Sequence, residues 1–251
     1  MDRLVQTGER GDGAPARQIA PDFTPDFTHV DTWVFDLDNT LYPASSNLFA
    51  QIDARMTAYL SSMFGVSADE ARKLQKDYYR DHGTTLNGLI NVHGHDPEPY
   101  LAYVHDIDLS VLPHDPALDA GLSRLPGRKL IYTNGSTEHA ARVLAHLGID
   151  RHFDEVFDIR ASGFTPKPNL ASYERLMAQH GVVPGRAVLF EDIVRNLAPA
   201  RALGMTTVWV RNDSQWSKQG PTYPAHDLSV VDHVADALSP FLLSLKTSLD
   251  V

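Results

Sequence analysis

Two acidic residues at the end of an apolar run are the residues best placed to do chemistry. The run 32–35 (Thr-Trp-Val-Phe) predicts a buried β-strand, and Asp36 and Asp38 follow it. Residues at i and i+2 of a strand share a face, which opens here into the ligand-binding crevice of an α/β sheet. Two carboxylates this close repel each other unless they bind a hard cation or have different protonation states. The pair suits phosphoryl transfer, with one Asp as nucleophile, one as proton donor, and Mg²⁺ to neutralise charge.

A simpler interpretation is that Asp36 and Asp38 only end a strand and begin a polar turn, where Asp is common. A lone Asp-x-Asp would favour that interpretation. Here the longer string Asp-x-Asp-x-Thr follows an apolar strand and precedes the apolar pair Leu41-Tyr42. This context is more specific and favours the functional interpretation.

The bulk composition is that of a soluble globular protein and excludes several classes of function. The chain has 251 residues, enough for one large domain or two smaller ones, with 43% hydrophobic and 22% charged residues. A net charge of −10 argues against broad electrostatic binding to a nucleic acid polymer or an anionic membrane. Because there is no Cys, disulfides, thiolate catalysis and Cys-based zinc sites are excluded.

Hydropathy and the N-terminal composition predict a cytoplasmic protein. No run of about 18 apolar residues indicates a transmembrane helix. Residues 1–28 are rich in Gly, Pro and charge and lack the apolar core of a signal peptide. We interpret them as a flexible leader.

Strands and helices alternate after this leader, which predicts an α/β protein with a doubly wound parallel sheet covered on both faces. The predicted strands lie at 32–35, 129–133, 153–159, 187–190 and 206–210. Apolar residues at helical spacing predict helices that end at Gly148, Gly181 and Gly204, and a last helix that contains Val230, Val231, Val234 and Leu238.

Residues 44–115 interrupt this alternation and predict a separate, all-helical domain. Its signals include a helical stripe from Leu48 to Met63 and the capping box Ser67-x-x-Glu70. An insert directly after the acidic strand end would lie over the site as a lid, and we call it the cap. The alternative is a helical decoration far from the site. The core domain would comprise residues 29–43 and 116–251.

Three further polar features lie at the ends of predicted strands or at the start of a helix. Thr133-Asn134 ends the second strand, Lys167 lies between two prolines before a helix, and Glu191-Asp192 ends the fourth strand. Each alone could be a turn, a solvated charge or a polar loop. The carboxyl ends of parallel strands meet at one edge of the sheet, so together these residues could supply the donors, the cation and the metal ligands that phosphoryl transfer needs.

With these motifs, the chain resembles the haloacid dehalogenase superfamily of phosphohydrolases over residues 33–210. The resemblance implies a Rossmann-like core and an enzyme in which Asp36 forms an aspartyl-phosphate and Asp38 acts as general acid and base. Relatives that cleave carbon–halogen bonds lack an acid at the place of Asp38, so the resemblance favours phosphate esters. The residues implied in binding the phosphoryl group are Thr133, Asn134 and Lys167.

The resemblance also implies Mg²⁺ as cofactor. Its ligands would be the carboxylates of Asp36 and Asp192 and the backbone carbonyl of Asp38. Glu191 and Asn196 stand at flanking places where many relatives have Asp. Glu191 would reach the metal through water, and Asn196 would orient its neighbours.

Within the superfamily, the string Phe35–Tyr42 and several cap segments are most similar to the pyrimidine 5′-nucleotidase branch. The resemblance implies a small-molecule phosphate ester as substrate, with a pyrimidine nucleoside 5′-monophosphate favoured. We expect a monomer or homodimer. The alternatives are a phosphatase of a sugar or other metabolite phosphate, and a non-catalytic phosphate-binding regulatory protein, which would not need both a nucleophile and an acid.

Polar residues of the cap could recognise the organic part of the substrate, because their side chains donate and accept hydrogen bonds. The alternative is structural: Thr84 would cap the next helix, and Tyr79 would fill the core of the cap. The candidates are Tyr79, His82, Thr84, Thr85 and Asn87.

Overall fold

A parallel β-sheet forms the centre of the molecule in the computed structural model, which describes residues 24–212 and 228–251. Its strands are β1 (Thr32–Phe35), β2 (Arg128–Tyr132), β3 (Glu155–Phe157), β4 (Ala187–Glu191), β5 (Thr206–Val210) and β6 (His233–Ala235). They lie in the order β3-β2-β1-β4-β5-β6, and every pair is parallel. The predicted α/β class is confirmed, and the strand order reverses between β1 and β4, where such sheets bind ligands.

Strand β1 is the centre of this sheet, and all of its residues are buried. Trp33 and Phe35 pack in the larger hydrophobic cluster, whereas Val34 points to the other face and packs in the second cluster. Val34 pairs in register with Leu130 of β2 and Leu189 of β4. A strand that is covered on both faces is apolar throughout, which explains the uninterrupted apolar run in the sequence.

The helices of the insert follow β1 directly and precede β2. They are α1 (Leu48–Phe64), α2 (Ala68–His82), α3 (Thr85–His93) and α4 (Pro97–Val104). The predicted capping box begins α2, since Ser67 and Glu70 accept hydrogen bonds from each other's backbone N–H groups. Gly88 lets α3 lie directly against the ring of Tyr78 on α2.

Five further helices belong to the core and alternate with its strands. They are α5 (Pro116–Ser123), α6 (Thr137–Leu147), α7 (Leu170–His180), α8 (Val194–Ala202) and α9 (Leu238–Ser244). Helix α6 follows β2 closely, with Ser136 as its N-cap, and Ser136 Oγ accepts a hydrogen bond from the backbone N–H of His139 at 3.3 Å. The first turn of α6 therefore lies at the carboxyl edge of the sheet.

The C-terminal segment differs from the prediction of one helix after a last strand at 206–210. A 3₁₀-helix (Leu228–Val230), β6 and α9 occupy it instead. Val234 lies in β6, where it pairs with Trp209 of β5. Backbone pairing with the open edge of β5 overrides the helical spacing of the valines, because a short apolar run fits a strand as well as a helix.

The third strand is shorter than its predicted range of 153–159. Glu155–Phe157 pair with β2, and the chain then turns. The carboxylate of Asp158 accepts a hydrogen bond from the backbone N–H of Ala161 at 2.9 Å, which satisfies a donor in that turn.

The predicted leader, residues 1–28, falls mostly on residues 1–23, which lie outside the described residues. Phe27, near its end, is fully buried, and its ring centroid lies 5.9 Å from that of Trp33. The Phe27 N–H donates to the carbonyl of Lys246 at 2.8 Å. Packed structure thus begins before residue 29. Across the described ranges, no helix is both long and apolar enough to cross a membrane.

Candidate active site

Carboxylates from the two central strands meet at the carboxyl edge of the sheet. Asp36 follows β1 and extends its pairing with β4, since its N–H donates to the carbonyl of Phe190 at 2.9 Å. Glu191 ends β4, and Asp192 follows it. Oxygens from Asp36, Glu191 and Asp192 all lie within 4.8 Å of one another, and the three residues are buried. The strand ends therefore bring together the acidic residues that the sequence separates by more than 150 positions.

Lys167 places its ammonium group among these carboxylates. Its Nζ donates to Asp36 Oδ1 at 2.6 Å, to Glu191 Oε2 at 2.7 Å and to the carbonyl of Tyr132 at 2.9 Å. The side chain is only 1% exposed. The sequence analysis placed Lys167 at this site as a residue that binds the phosphoryl group, but it missed that Glu191 is a direct partner of Lys167.

Burial and mutual repulsion shift the proton affinities of this cluster. Burial and the negative charge of Glu191 raise the pKa of Asp36 to about 7, although Lys167 opposes them. Burial, Glu191 and Asp36 raise the pKa of Asp192 well above its usual range. Burial would lower the pKa of Lys167, but Asp36 and Glu191 raise it, so the lysine remains charged. One ammonium group facing three carboxylates leaves an excess of negative charge.

The oxygen atoms of this cluster fit a hard divalent cation such as Mg²⁺, which prefers carboxylate and amide oxygens. Asn196 adds a second sign of such a site. Its Oδ1 is buried and has no hydrogen-bond partner among the described residues. An acceptor without a partner that lines the same cavity as the crowded carboxylates suits a cation or its bound water.

Asp38 lies beside Asp36 but in a different environment. Its Oδ1 accepts hydrogen bonds from Tyr42 Oη at 2.6 Å and from His139 Nε2 at 2.8 Å. Burial would raise the pKa of Asp38, but His139 and Tyr42 lower it to about 2. The environments of Asp36 and Asp38 therefore move their pKa values in opposite directions, as is common for pairs of acid–base residues in enzymes.

His139 is a residue of this site that the sequence analysis did not identify. It lies on the first turn of α6 and is 1% exposed, and the ring of His105 stacks on it with centroids 4.4 Å apart. Burial and the neighbouring His139 lower the pKa of His105 to about 3, so His105 is neutral. A signal was available: His139 comes one turn after Ser136, which caps the helix that follows the Thr133-Asn134 strand end.

Thr133 and Asn134 lie at this edge as predicted, and the structure shows what each contacts. Thr133 is 2% exposed, and its Oγ1 accepts from the N–H of Gly135 at 2.9 Å, which leaves its hydroxyl hydrogen as a donor. Asn134 Oδ1 accepts from the backbone N–H of Lys167 at 2.9 Å. Asn134 therefore anchors the segment that carries the lysine.

A cavity of about 480 Å³ lies between the strand ends and the cap. Its floor contains the polar residues described above, including Asp36, Asp38, Thr133 and Lys167. Its cap side combines apolar and aromatic residues with polar and charged ones, among them Gln75, Lys76 and Arg80. The cap residues that form this side include Phe49, Ile52, Met56, Tyr79, Leu86, Tyr100, Leu101 and Val104.

The five predicted specificity residues separate into two groups. Tyr79, Thr84 and Thr85 line the cavity, whereas His82 and Asn87 are not among its lining residues. The ring of His82 lies beside Tyr78, with centroids 6.1 Å apart. Thr84 also caps α3, as the structural alternative predicted, by accepting from the N–H of Asn87 at 3.1 Å, and its role in recognition stays a prediction.

Arg195 is a second cavity residue that the sequence analysis did not identify. It lies on the first turn of α8, three residues after Asp192, and its guanidinium carbon lies 4.8 Å from the ring centroid of Tyr79. The guanidinium also donates to Tyr79 Oη. The pair joins the core to the cap across the cavity.

The fold and this site agree with the family that sequence comparison identifies. The model of the haloacid dehalogenase-like hydrolases matches residues 30–204. The chain belongs to this family of hydrolases.

Two relatives match this chain in sequence. The chain is 30% identical over 221 residues to glyceraldehyde 3-phosphate phosphatase of Methanopyrus kandleri, covering 81% of this chain and 91% of that protein. It is 28% identical over 187 residues to phosphate metabolism protein 8 of Saccharomyces cerevisiae, covering 68% of this chain. The match spans 58% of the length of the yeast protein.

Solved structures share the fold. A HAD phosphatase from Thermococcus onnurineus superposes with a TM-score of 0.55 at 20% sequence identity, over 83% of this chain and 94% of that chain. At this identity the likeness concerns the fold alone.

Proposed function

We propose that this protein is a Mg²⁺-dependent phosphomonoesterase that forms an aspartyl-phosphate on Asp36. The observation that supports this best is the buried contact of Asp36 Oδ1 with Lys167 Nζ at 2.6 Å, beside two further carboxylates. A buried carboxylate next to a fixed cation and a cluster of oxygen ligands is placed to receive a phosphoryl group. A protein that only binds phosphate has no need of such a nucleophile.

The reaction would proceed in two steps on these residues. An oxygen of Asp36 attacks phosphorus, the new O–P bond forms, and the bond from phosphorus to the leaving oxygen breaks. The hydroxyl of Thr133 would donate to a phosphoryl oxygen. The three hydrogens of the Lys167 ammonium are donated to Asp36, Glu191 and the carbonyl of Tyr132, so Lys167 would attract the phosphoryl group by its positive charge. Asp38 gives a proton to the leaving oxygen. It then takes one from the water that attacks the aspartyl-phosphate, which releases inorganic phosphate and restores Asp36.

Mg²⁺ would be held by the carboxylates of Asp36 and Asp192 and by the backbone carbonyl of Asp38. When bound, it would neutralise the charge that collects on the carboxylates and the phosphoryl group. Glu191 contributes indirectly, because its ion pair with Lys167 fixes the ammonium group at 2.7 Å.

Asp38 is the residue that favours phosphate esters over carbon–halogen bonds, since an alkoxide leaving group needs a proton and a halide does not. At neutral pH the ligand-free Asp38 is ionised, because its pKa is about 2. A phosphate dianion next to it raises that pKa, since like charges disfavour the ionised form. Asp38 would thus take up its proton together with the substrate.

The cavity favours a substrate with a sizeable organic part. Its volume of about 480 Å³ is within the usual range for small-molecule pockets, roughly 300–1,000 Å³. The ring of Tyr79 lines its cap side, with the guanidinium of Arg195 over the ring. An aromatic ring of this kind can stack on a nucleobase, which favours a nucleoside 5′-monophosphate, and the sequence resemblance favours a pyrimidine base. The relative named glyceraldehyde 3-phosphate phosphatase supports a second candidate, a small metabolite phosphate.

The test is release of phosphate from p-nitrophenyl phosphate, CMP, UMP, AMP and glyceraldehyde 3-phosphate, with Mg²⁺ and with EDTA. We expect release that requires Mg²⁺, with the highest kcat/KM for CMP or UMP. The Asp36→Asn variant should lose more than about 90% of kcat, at least ~1.4 kcal/mol, because an amide cannot attack phosphorus. The matched control is Asp236→Asn, which changes an exposed carboxylate.

Each part of this proposal can fail separately. If none of these esters is hydrolysed in Mg²⁺, the phosphatase assignment is wrong. A highest kcat/KM for glyceraldehyde 3-phosphate would replace the nucleotide with the metabolite phosphate as substrate.

A further inference from the structure

His139 is a buried residue that the proposed chemistry does not yet use. Its Nε2 lies 2.8 Å from Asp38 Oδ1, and Tyr42 Oη donates to the same oxygen at 2.6 Å. Because both hydrogen bonds end on Oδ1, the carboxylate is held in one orientation, with Oδ2 as the oxygen that can face a substrate. Asp38 is 16% exposed at its side chain and lines the cavity, so this orientation decides where its proton can go.

The ring of His139 depends on one hydrogen bond and one stacking contact. An ionised carboxylate only accepts hydrogen bonds, so His139 Nε2 carries the hydrogen. The other ring nitrogen, Nδ1, is buried without a hydrogen-bond partner in the described part of the chain. The ring of His105 lies parallel to it, with centroids 4.4 Å apart and planes 10° apart. The stacking contact with His105 therefore holds the His139 ring in its orientation in place of a second hydrogen bond.

His105 lies where the cap returns to the core, directly after α4. Arg142 fixes this connection, since its guanidinium donates to the carbonyl of His105 at 2.8 Å and of Ile107 at 3.1 Å. Ser136 Oγ lies 3.2 Å from His105 Nδ1. Ser136 caps α6, and His139 and Arg142 lie on it. One core helix therefore both binds the returning connection of the cap and carries the histidine that contacts Asp38.

We propose that His139 is a positioning residue that orients Asp38 and that, through the stack with His105, ties this orientation to the seating of residues 105–107. The proposal rests on the proposed function, in which Asp38 protonates the leaving oxygen. Its consequence is that Asp38 is correctly placed only when the returning connection of the cap lies against α6.

The test compares two aryl phosphates that differ in their need for a proton. Phenol is a weak acid with a pKa near 10, like the Tyr side chain, whereas p-nitrophenol is much more acidic. Phenyl phosphate therefore depends on a correctly placed acid, and p-nitrophenyl phosphate depends on it much less. The measured quantity is kcat/KM in Mg²⁺, because it reports the step in which the leaving group departs and not the later hydrolysis of the intermediate.

Three variants of His139 separate orientation from packing. His139→Leu removes the hydrogen bond, and we expect kcat/KM to fall about 100-fold for phenyl phosphate but less than about fivefold for p-nitrophenyl phosphate. His139→Gln keeps an N–H donor of similar reach and should restore most of the loss. The side chain in His139→Asn is too short to reach Asp38 Oδ1, so this variant should behave like His139→Leu. His139→Asn is the polar replacement to use if His139→Leu impairs folding. His146→Gln, a half-buried histidine elsewhere on α6, is the matched control and should leave both values unchanged.

Variants of His105 test the connection to the cap. His105→Ala removes the stacked ring. The ratio of kcat/KM for phenyl phosphate to kcat/KM for p-nitrophenyl phosphate should fall, as in His139→Leu, but by a smaller factor. His105→Phe keeps a flat ring and should keep the wild-type ratio. Because the effect runs through His139, adding His105→Ala to His139→Leu should not lower the ratio further.

The outcomes are distinguishable. Equal losses on both esters in His139→Leu, or no recovery in His139→Gln, would show that His139 is only structural. Additive effects of the two histidine substitutions would remove the link to the cap. If the wild-type protein hydrolyses neither these two esters nor the nucleotides and glyceraldehyde 3-phosphate in Mg²⁺, the proposed function itself is wrong, and the positioning role is rejected with it.

Discussion

Lys167 determines how the carboxylates of the site can coexist. Its ammonium lies 2.6 Å from Asp36 and 2.7 Å from Glu191, with almost no contact with water. Buried charges are tolerated when they are paired and hydrogen-bonded, and here the third donor is used by the carbonyl of Tyr132. Asp192 receives no such ammonium contact within the described residues. It accepts a hydrogen bond from the neutral amide of Asn212, Nδ2, at 2.7 Å. Of the three carboxylates, Asp192 is therefore the one whose negative charge a metal cation would compensate most.

Substituting Asp192 should therefore act through the metal. In Asp192→Ala we expect the Mg²⁺ concentration for half-maximal activity to rise at least ~10-fold, because one hard ligand is lost. Excess Mg²⁺ should partly restore the rate, which a magnesium titration of p-nitrophenyl phosphate hydrolysis measures.

The control for this titration is Asp236→Ala, which removes a carboxylate that is 73% exposed. It should leave the magnesium requirement unchanged. An unchanged requirement in Asp192→Ala as well would show that Asp192 is not a metal ligand.

Among the elements, the contact between α2 and α3 determines the internal packing of the cap. A Cβ at Gly88 would lie 2.2 Å from Cγ of the Tyr78 ring, far closer than packed atoms can lie. Tyr78 cannot move freely, because it is 7% exposed and its hydroxyl lies 2.6 Å from His93 Nε2. Glycine is required here for close approach of the two helices and not for an unusual backbone angle.

Gly88→Ala should therefore destabilise the protein by about 1–3 kcal/mol, the usual cost of overpacking. Urea unfolding followed by circular dichroism measures the change. Gly185→Ala is the matched control, since a Cβ at that position would meet no atom of the described residues within 4 Å apart from its chain neighbours, and its φ needs no glycine. If Gly88→Ala were as stable as the Gly185 variant, α2 and α3 would not pack as described.

At the scale of the molecule, the sheet and its carboxyl edge could be predicted because β1 and β4 are central strands. Their apolar runs are uninterrupted, and an acidic residue directly after such a run marks a strand end. The edge strand β6 has no such signal, because its short run fits a helix or a strand, and pairing with β5 decides between them. The predicted roles of the site residues stay predictions.

The residues that sequence reasoning missed reach the site from other elements. His139 and Arg195 lie on the first turns of α6 and α8, and His105 lies at the end of α4. Their spacing in the sequence indicates only helix starts and ends. The contact of His139 with Asp38 is made within the core, whereas the contacts of Arg195 with Tyr79 and of His105 with His139 depend on how the cap packs on the core. That packing includes a bidentate ion pair, with Arg160 Nε and Nη2 at 2.8 and 2.6 Å from the carboxylate of Glu98 on α4. Such contacts between sequence-distant residues leave no local pattern.

The central claim is that Asp36 becomes covalently phosphorylated, and trapping the intermediate tests it most directly. The protein is mixed with p-nitrophenyl phosphate and Mg²⁺, quenched in acid and reduced with borohydride, which converts a phosphorylated aspartate into homoserine. Peptide mass spectrometry then locates the change. We predict homoserine at position 36 and unmodified Asp at 38, with no conversion in EDTA. Phosphate release without conversion at position 36, or conversion at 38 instead, would contradict the assignment of Asp36 as the nucleophile.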